Sequence, residues 1–353
     1  MERIRQEEFG KTKDGKVVTK YTLTNKKGMK VSFLDYGAVI CEIIVPDRNG
    51  EFKDVALGCS TVNGYETNLS SFGAFVGRCA NRISNGTFTI NGKEYQLMKN
   101  DHGNNLHGGE PFYNKLMYEA ECLEGEDEVG VEFSRLSPDG EQGFPGNLDI
   151  TVTYTLTDDN EILIEYLAVS DQDTVVNFTN HSYFNLAGHN AGTIFDHEVM
   201  ICADAFTPTD EFLIPTGEIR SVEGTPLDFR KRKRVGDDIE ADYEPIRYAK
   251  GYDHNFVLHQ QDGEVEKVAE VYEPSSGRKM EVFTNFPGIQ LYTSNGLEED
   301  VDCKDGATYG HFNGLCLETQ FFPNACNTEG FQSTVLKAGE EYDYQTMYKF
   351  SCE

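Results

Sequence analysis

The sequence predicts an all-β protein, a sandwich or barrel of antiparallel strands with few, short helices, folded as one domain over residues 1–353. Three observations lead there. The dominant hydrophobic period is two. No stretch longer than about ten residues holds a period of 3.6. The 34 glycines, with Asn/Asp-rich turns, cut the chain into many short segments, the pattern of a sandwich or barrel.

Taken in order, 17–24, 29–34 and 38–45 read as the first strands. Residues 87–97, TFTINGKEYQL, read as a hairpin: Asn91-Gly92 tolerates the positive backbone angles of a type I′ turn between Phe88/Ile90 and Tyr95/Leu97. The acidic segment 121–130 reads as a loop between two strands, the second at 128–134. In 151–156, TVTYTL, Val152, Tyr154 and Leu156 share one face and the threonines the other, a half-buried antiparallel strand. Residues 161–169 follow after the Asp158-Asp159-Asn160 turn. Further strands are expected at 174–178, 194–201, 255–260, 266–272, 279–284, 288–293, 313–318 and 343–350. No repeat and no Pro/Ser linker divides the chain.

Charge narrows the partners. Sixty acidic against 31 basic side chains give −29, which argues against nucleic acid and against an anionic membrane surface. The N-terminus has no apolar core for a signal peptide, and no window approaches a membrane span, so a cytoplasmic location is expected. Nine scattered cysteines with no CxxC pair read as reduced core thiols, and no metal site is expected. One basic run, Arg230 to Arg234 (RKRKR), reads as a solvated loop neutralised by Asp228, Asp237 and Asp238.

Nucleotide loops (GxGxxG, Walker), the GxSxG elbow and HExxH are absent, and no cofactor is expected. What stands out instead is a set of polar clusters that break the alternation around them: GRCANRI (77–83), NNLHGG (104–109), NFTNHSYFNLAG (177–188), GYDHNF (251–256), PGIQLY (287–292) and LCLETQFFP (315–323). Together they supply amides, imidazoles, a guanidinium, carboxylates and aromatic faces. That chemistry suits a neutral polyol, which needs donors and acceptors for hydroxyls and an apolar surface for its C–H face. Glu318 at the end of an apolar run is costly unless paired or used.

These blocks, in this order and over roughly residues 15–350, resemble the signatures of the aldose 1-epimerase (galactose mutarotase) family. The resemblance implies that family's large antiparallel β-sandwich and interconversion of the anomers of a free aldohexose such as galactose or glucose, by a monomer or homodimer. It implies His181 as general acid and Glu318 as general base. Asn81, Arg82, His107, Tyr183, Asp253 and Gln290 would form the sugar-binding set. Asn324 departs from the family's usual Asp, outside the acid–base pair, with little effect expected on chemistry. Cys79 stands where an aromatic is common, which could loosen the pocket. His181 is expected to be cationic at rest, its neighbouring carboxylates outweighing burial. Three other readings stay open: a hexose-6-phosphate 1-epimerase using the basic run, a non-catalytic carbohydrate-binding module, and an inverting glycosidase built on Glu318 and Asp253.

Overall fold

The computed structural model describes residues 3–259, 263–298 and 302–353. Strands dominate it, and no α-helix among the described residues exceeds six residues. A five-stranded antiparallel meander opens the chain, with Ile4–Lys11, Val17–Thr24, Lys30–Leu34, Val39–Pro46 and Phe52–Asp54 in sequence order. A nine-stranded antiparallel sheet follows, and its middle is closed by the C-terminal strand Glu341–Cys352, which pairs with Glu161–Ser170 on one side and Arg278–Thr284 on the other. A second five-stranded sheet contains Asp253–Val257, Gly288–Tyr292 and Cys316–Gln320 as neighbours.

One face of the large sheet packs on both smaller sheets. Val152, Tyr154 and Leu156 are fully buried, as their alternation requires. Tyr154 stacks on Phe33 of the first meander at 4.7 Å, and its hydroxyl donates to the Ala38 carbonyl at 2.8 Å. Tyr348 reaches the other way, its hydroxyl donating to the Leu317 carbonyl at 3.3 Å. Side chains of all three sheets join one apolar core.

The hairpin forms as expected, Thr87–Ile90 against Lys93–Gln96, with Asn91 and Gly92 at φ 52° and 78°. The acidic segment is a correction. Glu119–Glu124 is itself an edge strand paired with Glu128–Ser137, so only 125–127 turn. Its glutamates face solvent at the sheet edge, where charge discourages further pairing. Ile4–Lys11 is a strand the sequence hides, because Ile4 is its one buried residue. Expected strands also shift or shorten: 194–201 to Glu198–Ile201, 174–178 to Thr174–Val175, 313–318 to Cys316–Gln320 and 255–260 to Asp253–Val257, with residue 260 outside the described residues. No helix among the described residues is long and apolar enough to cross a membrane.

Candidate active site

Strand alternation builds the floor of the site. In Cys316–Gln320, Leu317 points into the core while Cys316, Glu318 and Gln320 share the opposite face. Register carries that polar face across the sheet. Gln290 lies opposite Glu318, Tyr292 opposite Cys316, and Asp253 opposite Tyr292. Their intervening neighbours Ile289, Leu291 and Phe256 are core. The short strand Thr179–His181, paired with Ala74–Val76, sets His181 over Cys316–Gln320.

A cavity of about 220 Å³ opens above this floor, lined by Asn81, Arg82, His107, His181, Tyr183, Asp253 and Glu318. Seven of the eight residues expected at the site thus surround one cleft. Gln290 does not line it. Its amide stands one layer behind and donates to Asp253 Oδ1 at 2.6 Å. The sequence reading missed Tyr292, Ser71 and Leu297 on the wall, and Asp101 behind it. Tyr292 was visible in the PGIQLY block. Asp101 sits in an ordinary polar turn that carries no signal.

His181 Nε2 and Glu318 Oε1 are 3.7 Å apart, both side chains almost completely buried. The imidazole stacks on Tyr183 at 5.0 Å with a 27° tilt, and His107 and Tyr292 meet it edge-on at 5.4 and 6.2 Å. Opposite them, Arg82 Nε donates to Asp101 Oδ2 at 2.8 Å, and its Nη1 lies 3.7 Å from Asp253 Oδ2. Burial presses the Asp101 carboxyl upward, yet Arg82 and His102 together outweigh it and leave it below the ordinary carboxylate range. Asn81 and His107 hold one another: His107 N–H donates to the Asn81 carbonyl at 3.1 Å, and Asn81 N–H donates to His107 Nδ1 at 3.1 Å. Both occupy the left-handed region, at φ 62° and 56°.

The expected charge on His181 is corrected here. Burial outweighs the pull of Asp253 and pushes the imidazole down to about 4. Burial also drives the Glu318 carboxyl well above its usual range, with Asp253 adding and Arg82 opposing. Burial thus shifts both groups toward their uncharged forms. His107 is held well below its ordinary value by burial first, then by His181 and Arg82.

His107, His181 and Glu318 could geometrically surround a cation, their ligand atoms lying within 4.8 Å of one another. The hydrogen bond from Asn81 argues otherwise. Because His107 Nδ1 accepts an N–H, the neutral ring carries its proton on Nε2 and offers a donor, not a lone pair. Cys79 packs with Ile83, Phe88 and Phe144 in a separate core cluster rather than on the cleft. Asn324 ties loops together behind the site: its N–H donates to the Arg82 carbonyl at 2.8 Å, and its side chain accepts Ser84 N–H at 3.0 Å. The basic run is ion-paired away from the cleft, Arg230 with Asp228, Arg232 with Glu353, Lys233 with Asp238 and Arg234 with Asp237.

Comparison with known proteins identifies the family. The aldose 1-epimerase family profile matches residues 19–349. The chain belongs to the aldose 1-epimerase family. It is 47% identical over 336 residues to bovine galactose mutarotase, covering 95% of this chain and 94% of that protein. It is 37% identical to an aldose 1-epimerase of Escherichia coli K12, over 96% and 97% of the two chains. The solved galactose 1-epimerase of Lactobacillus acidophilus superposes with a TM-score of 0.86 at 28% identity, over 99% of this chain and 98% of that one. As an epimerase family member, the chain is an isomerase on a mutarotase-like all-β fold.

Proposed function

We propose that this protein interconverts the α and β anomers of free aldohexoses, galactose and glucose among them, with His181 and Glu318 as the proton-transfer pair. The observation that carries the reading is the approach of His181 Nε2 to Glu318 Oε1, 3.7 Å, in the floor of one cleft. Mutarotation opens a hemiacetal and closes it on the other face. Opening requires a proton on the ring oxygen and removal of one from the C1 hydroxyl. Two groups holding one exchangeable proton between them, either side of C1, meet that requirement.

In the opening step His181, as imidazolium, protonates the ring oxygen while the Glu318 carboxylate takes the C1 hydroxyl proton. The C1–O bond to the ring oxygen breaks and C1 becomes an aldehyde. Glu318 then carries the proton and His181 is neutral, the uncharged forms toward which burial shifts both groups. Rotation about C1–C2 presents the other carbonyl face. His181 removes the proton from the attacking hydroxyl, Glu318 returns its own to the carbonyl oxygen, and the pair is restored. Sugar hydroxyls donating to Glu318, with Arg82 nearby, stabilise the charged pair that starts the cycle. His107 Nε2–H and Arg82 face the cleft as donors to the C1 oxygen as charge moves through it. Asp253 and Asn81 hold hydroxyls and keep the open form in place, and Tyr183 adds an apolar wall.

The sugar is uncharged, so the net −29 gives little steering and weak salt dependence of binding. Ion pairing of the basic run outside the cleft favours free hexose over hexose 6-phosphate. The test is polarimetry of freshly dissolved α-D-galactose, α-D-glucose and glucose 6-phosphate. Decay of optical rotation faster than the spontaneous rate is expected for the free sugars. Sugar binding without acceleration would overturn the reading in favour of a carbohydrate-binding module.

A further inference from the structure

His181 meets one hetero atom at each end of its ring. Nε2 faces Glu318 Oε1 at 3.7 Å, and Nδ1 lies 3.5 Å from Cys316 Sγ. Both neighbours come from one strand. Cys316 and Glu318 are two residues apart in Cys316–Gln320, so the pleat turns them to the same face and the imidazole bridges them. Cys316 is fully buried. Tyr183, His107 and Tyr292 enclose the ring, so each nitrogen keeps its neighbour.

Proton exchange with the sugar runs through Nε2 alone. A neutral ring with its proton on Nε2 has its lone pair on Nδ1, facing sulfur and not the cleft. That tautomer can take no proton from a hydroxyl and none from Glu318. The productive ring keeps a proton on Nδ1 throughout, as imidazole and as imidazolium. Nδ1–H therefore needs an acceptor that carries no charge and donates poorly. A carboxylate there would hold the imidazolium too firmly, and a hydroxyl donates as readily as it accepts. A thiol is a weak donor with acceptor lone pairs. The residue's own carbonyl favours the protonated ring as well.

We infer that Cys316 is a positioning residue: its sulfur accepts the Nδ1–H of His181 and reserves Nε2 for the proton traded with sugar and Glu318. The inference rests on the reading of His181 and Glu318 as the proton-transfer pair. The neighbouring imidazole gives the contrast. At His107 a main-chain N–H points at Nδ1, which fixes the opposite tautomer, with Nε2–H as a permanent donor. Two rings 5.4 Å apart are thus set for different work, one a fixed donor and one a proton carrier.

The test is nitrogen-15 NMR of histidine-labelled protein near neutral pH, with His181 assigned by the signal lost in His181→Asn. The expected result is a protonated Nδ1 and an unprotonated Nε2 at His181. Cys316→Ser, whose hydroxyl donates to Nδ1, should shift the ring toward Nε2–H. Cys316→Val, similar in shape but without an acceptor, should lose the preference. In both, kcat should fall about three- to tenfold, the worth of one ordinary hydrogen bond, with KM unchanged. An Nε2–H tautomer in the parent overturns the inference, as does unchanged kcat in both variants. Glu318→Gln keeps the two failures apart. If it stays active, the proton-transfer reading itself falls. If it is inactive while the parent His181 is Nε2–H, only the role of Cys316 falls.

Discussion

Glu318→Gln separates acid–base chemistry from every reading in which the cleft only holds sugar. The carboxyl is 2% exposed, and its Oε2 has no hydrogen-bond partner among the described residues. Burial drives it well above the usual carboxylate range, toward the uncharged form that a neutral amide of the same shape mimics. Folding stability should change by no more than about 1 kcal/mol. Activity should change far more. The amide cannot take the C1 hydroxyl proton on opening or return one on closing. A positioned proton transfer is worth about 10²–10⁴ in rate, or about 2.7–5.5 kcal/mol of barrier. The assay is the polarimetric decay of α-D-galactose, corrected for the buffer rate, with melting temperature and calorimetric sugar binding measured in parallel. The expected variant melts like the parent, binds galactose, and mutarotates it at least about a hundredfold more slowly. A variant with parental melting and kcat within about tenfold of the parent would refute the assignment of Glu318.

Other consequences follow from the same geometry. Activity requires the pair to carry one exchangeable proton, so kcat/KM should fall on the acid side as His181 gains a second proton near its value of about 4. It should fall on the alkaline side as Glu318 loses its own above its raised value, and a pH–rate profile with no acid limb above pH 3 would contradict the value at His181. Asp101→Asn should free Arg82 from its 2.8 Å partner and raise KM about tenfold with a smaller effect on kcat, read by polarimetry. Lys304→Met removes a buried ammonium that donates to Asp54 Oδ2, the Cys41 carbonyl and the Ala56 carbonyl. It should cost about 3–5 kcal/mol in denaturant unfolding while activity per folded molecule persists. His197 is pushed by burial from 6.5 to about 4 while its Nε2 accepts Leu186 N–H. The unfolded chain therefore binds that proton first as pH falls. Stability from this group is complete above pH 6.5 and is lost toward pH 4, on the order of 3 kcal/mol, and His197→Gln should flatten that part of the urea-unfolding profile.

The parts of this fold legible in the sequence are those where one residue pattern has one physical solution. Asn91-Gly92 makes the hairpin because both positions need positive φ. TVTYTL makes a half-buried strand because Val152, Tyr154 and Leu156 must share the core face. Ile4–Lys11 and Glu119–Glu124 escape such reasoning because an edge strand can be stabilised by backbone pairing while its side chains stay charged. At the site, polar groups that break an apolar alternation make LETQ and NHSYFN stand out, but only the family resemblance singles out Glu318 and His181 within them. The same alternation places Gln290 on the correct face, but only tertiary packing puts Asp253 between it and the cleft. Asp101 is invisible for the complementary reason: its importance comes wholly from Arg82, 19 residues away in sequence.

The protonation of His181 shows how far composition can mislead about a site. Two carboxylates near an imidazole suggest a cation, but burial of the ring outweighs them. Asp253 accepts the Gln290 amide at 2.6 Å and lies 3.7 Å from Arg82, whose Nε is held by Asp101. Asp253 still raises the imidazole, but by less than burial lowers it, and Glu318 is itself driven toward its neutral form. What remains at His181 is chiefly the penalty of carrying charge in a buried cleft. That penalty serves the proposed reaction. The charged pair is needed only until the ring opens, and opening discharges both partners at once. The open-chain stage then holds both groups in the uncharged forms toward which burial shifts them. A stronger field at His181 would stabilise the starting cation and raise the barrier to giving its proton away. The burial of the pair thus belongs to the chemistry as much as the two groups that exchange the proton.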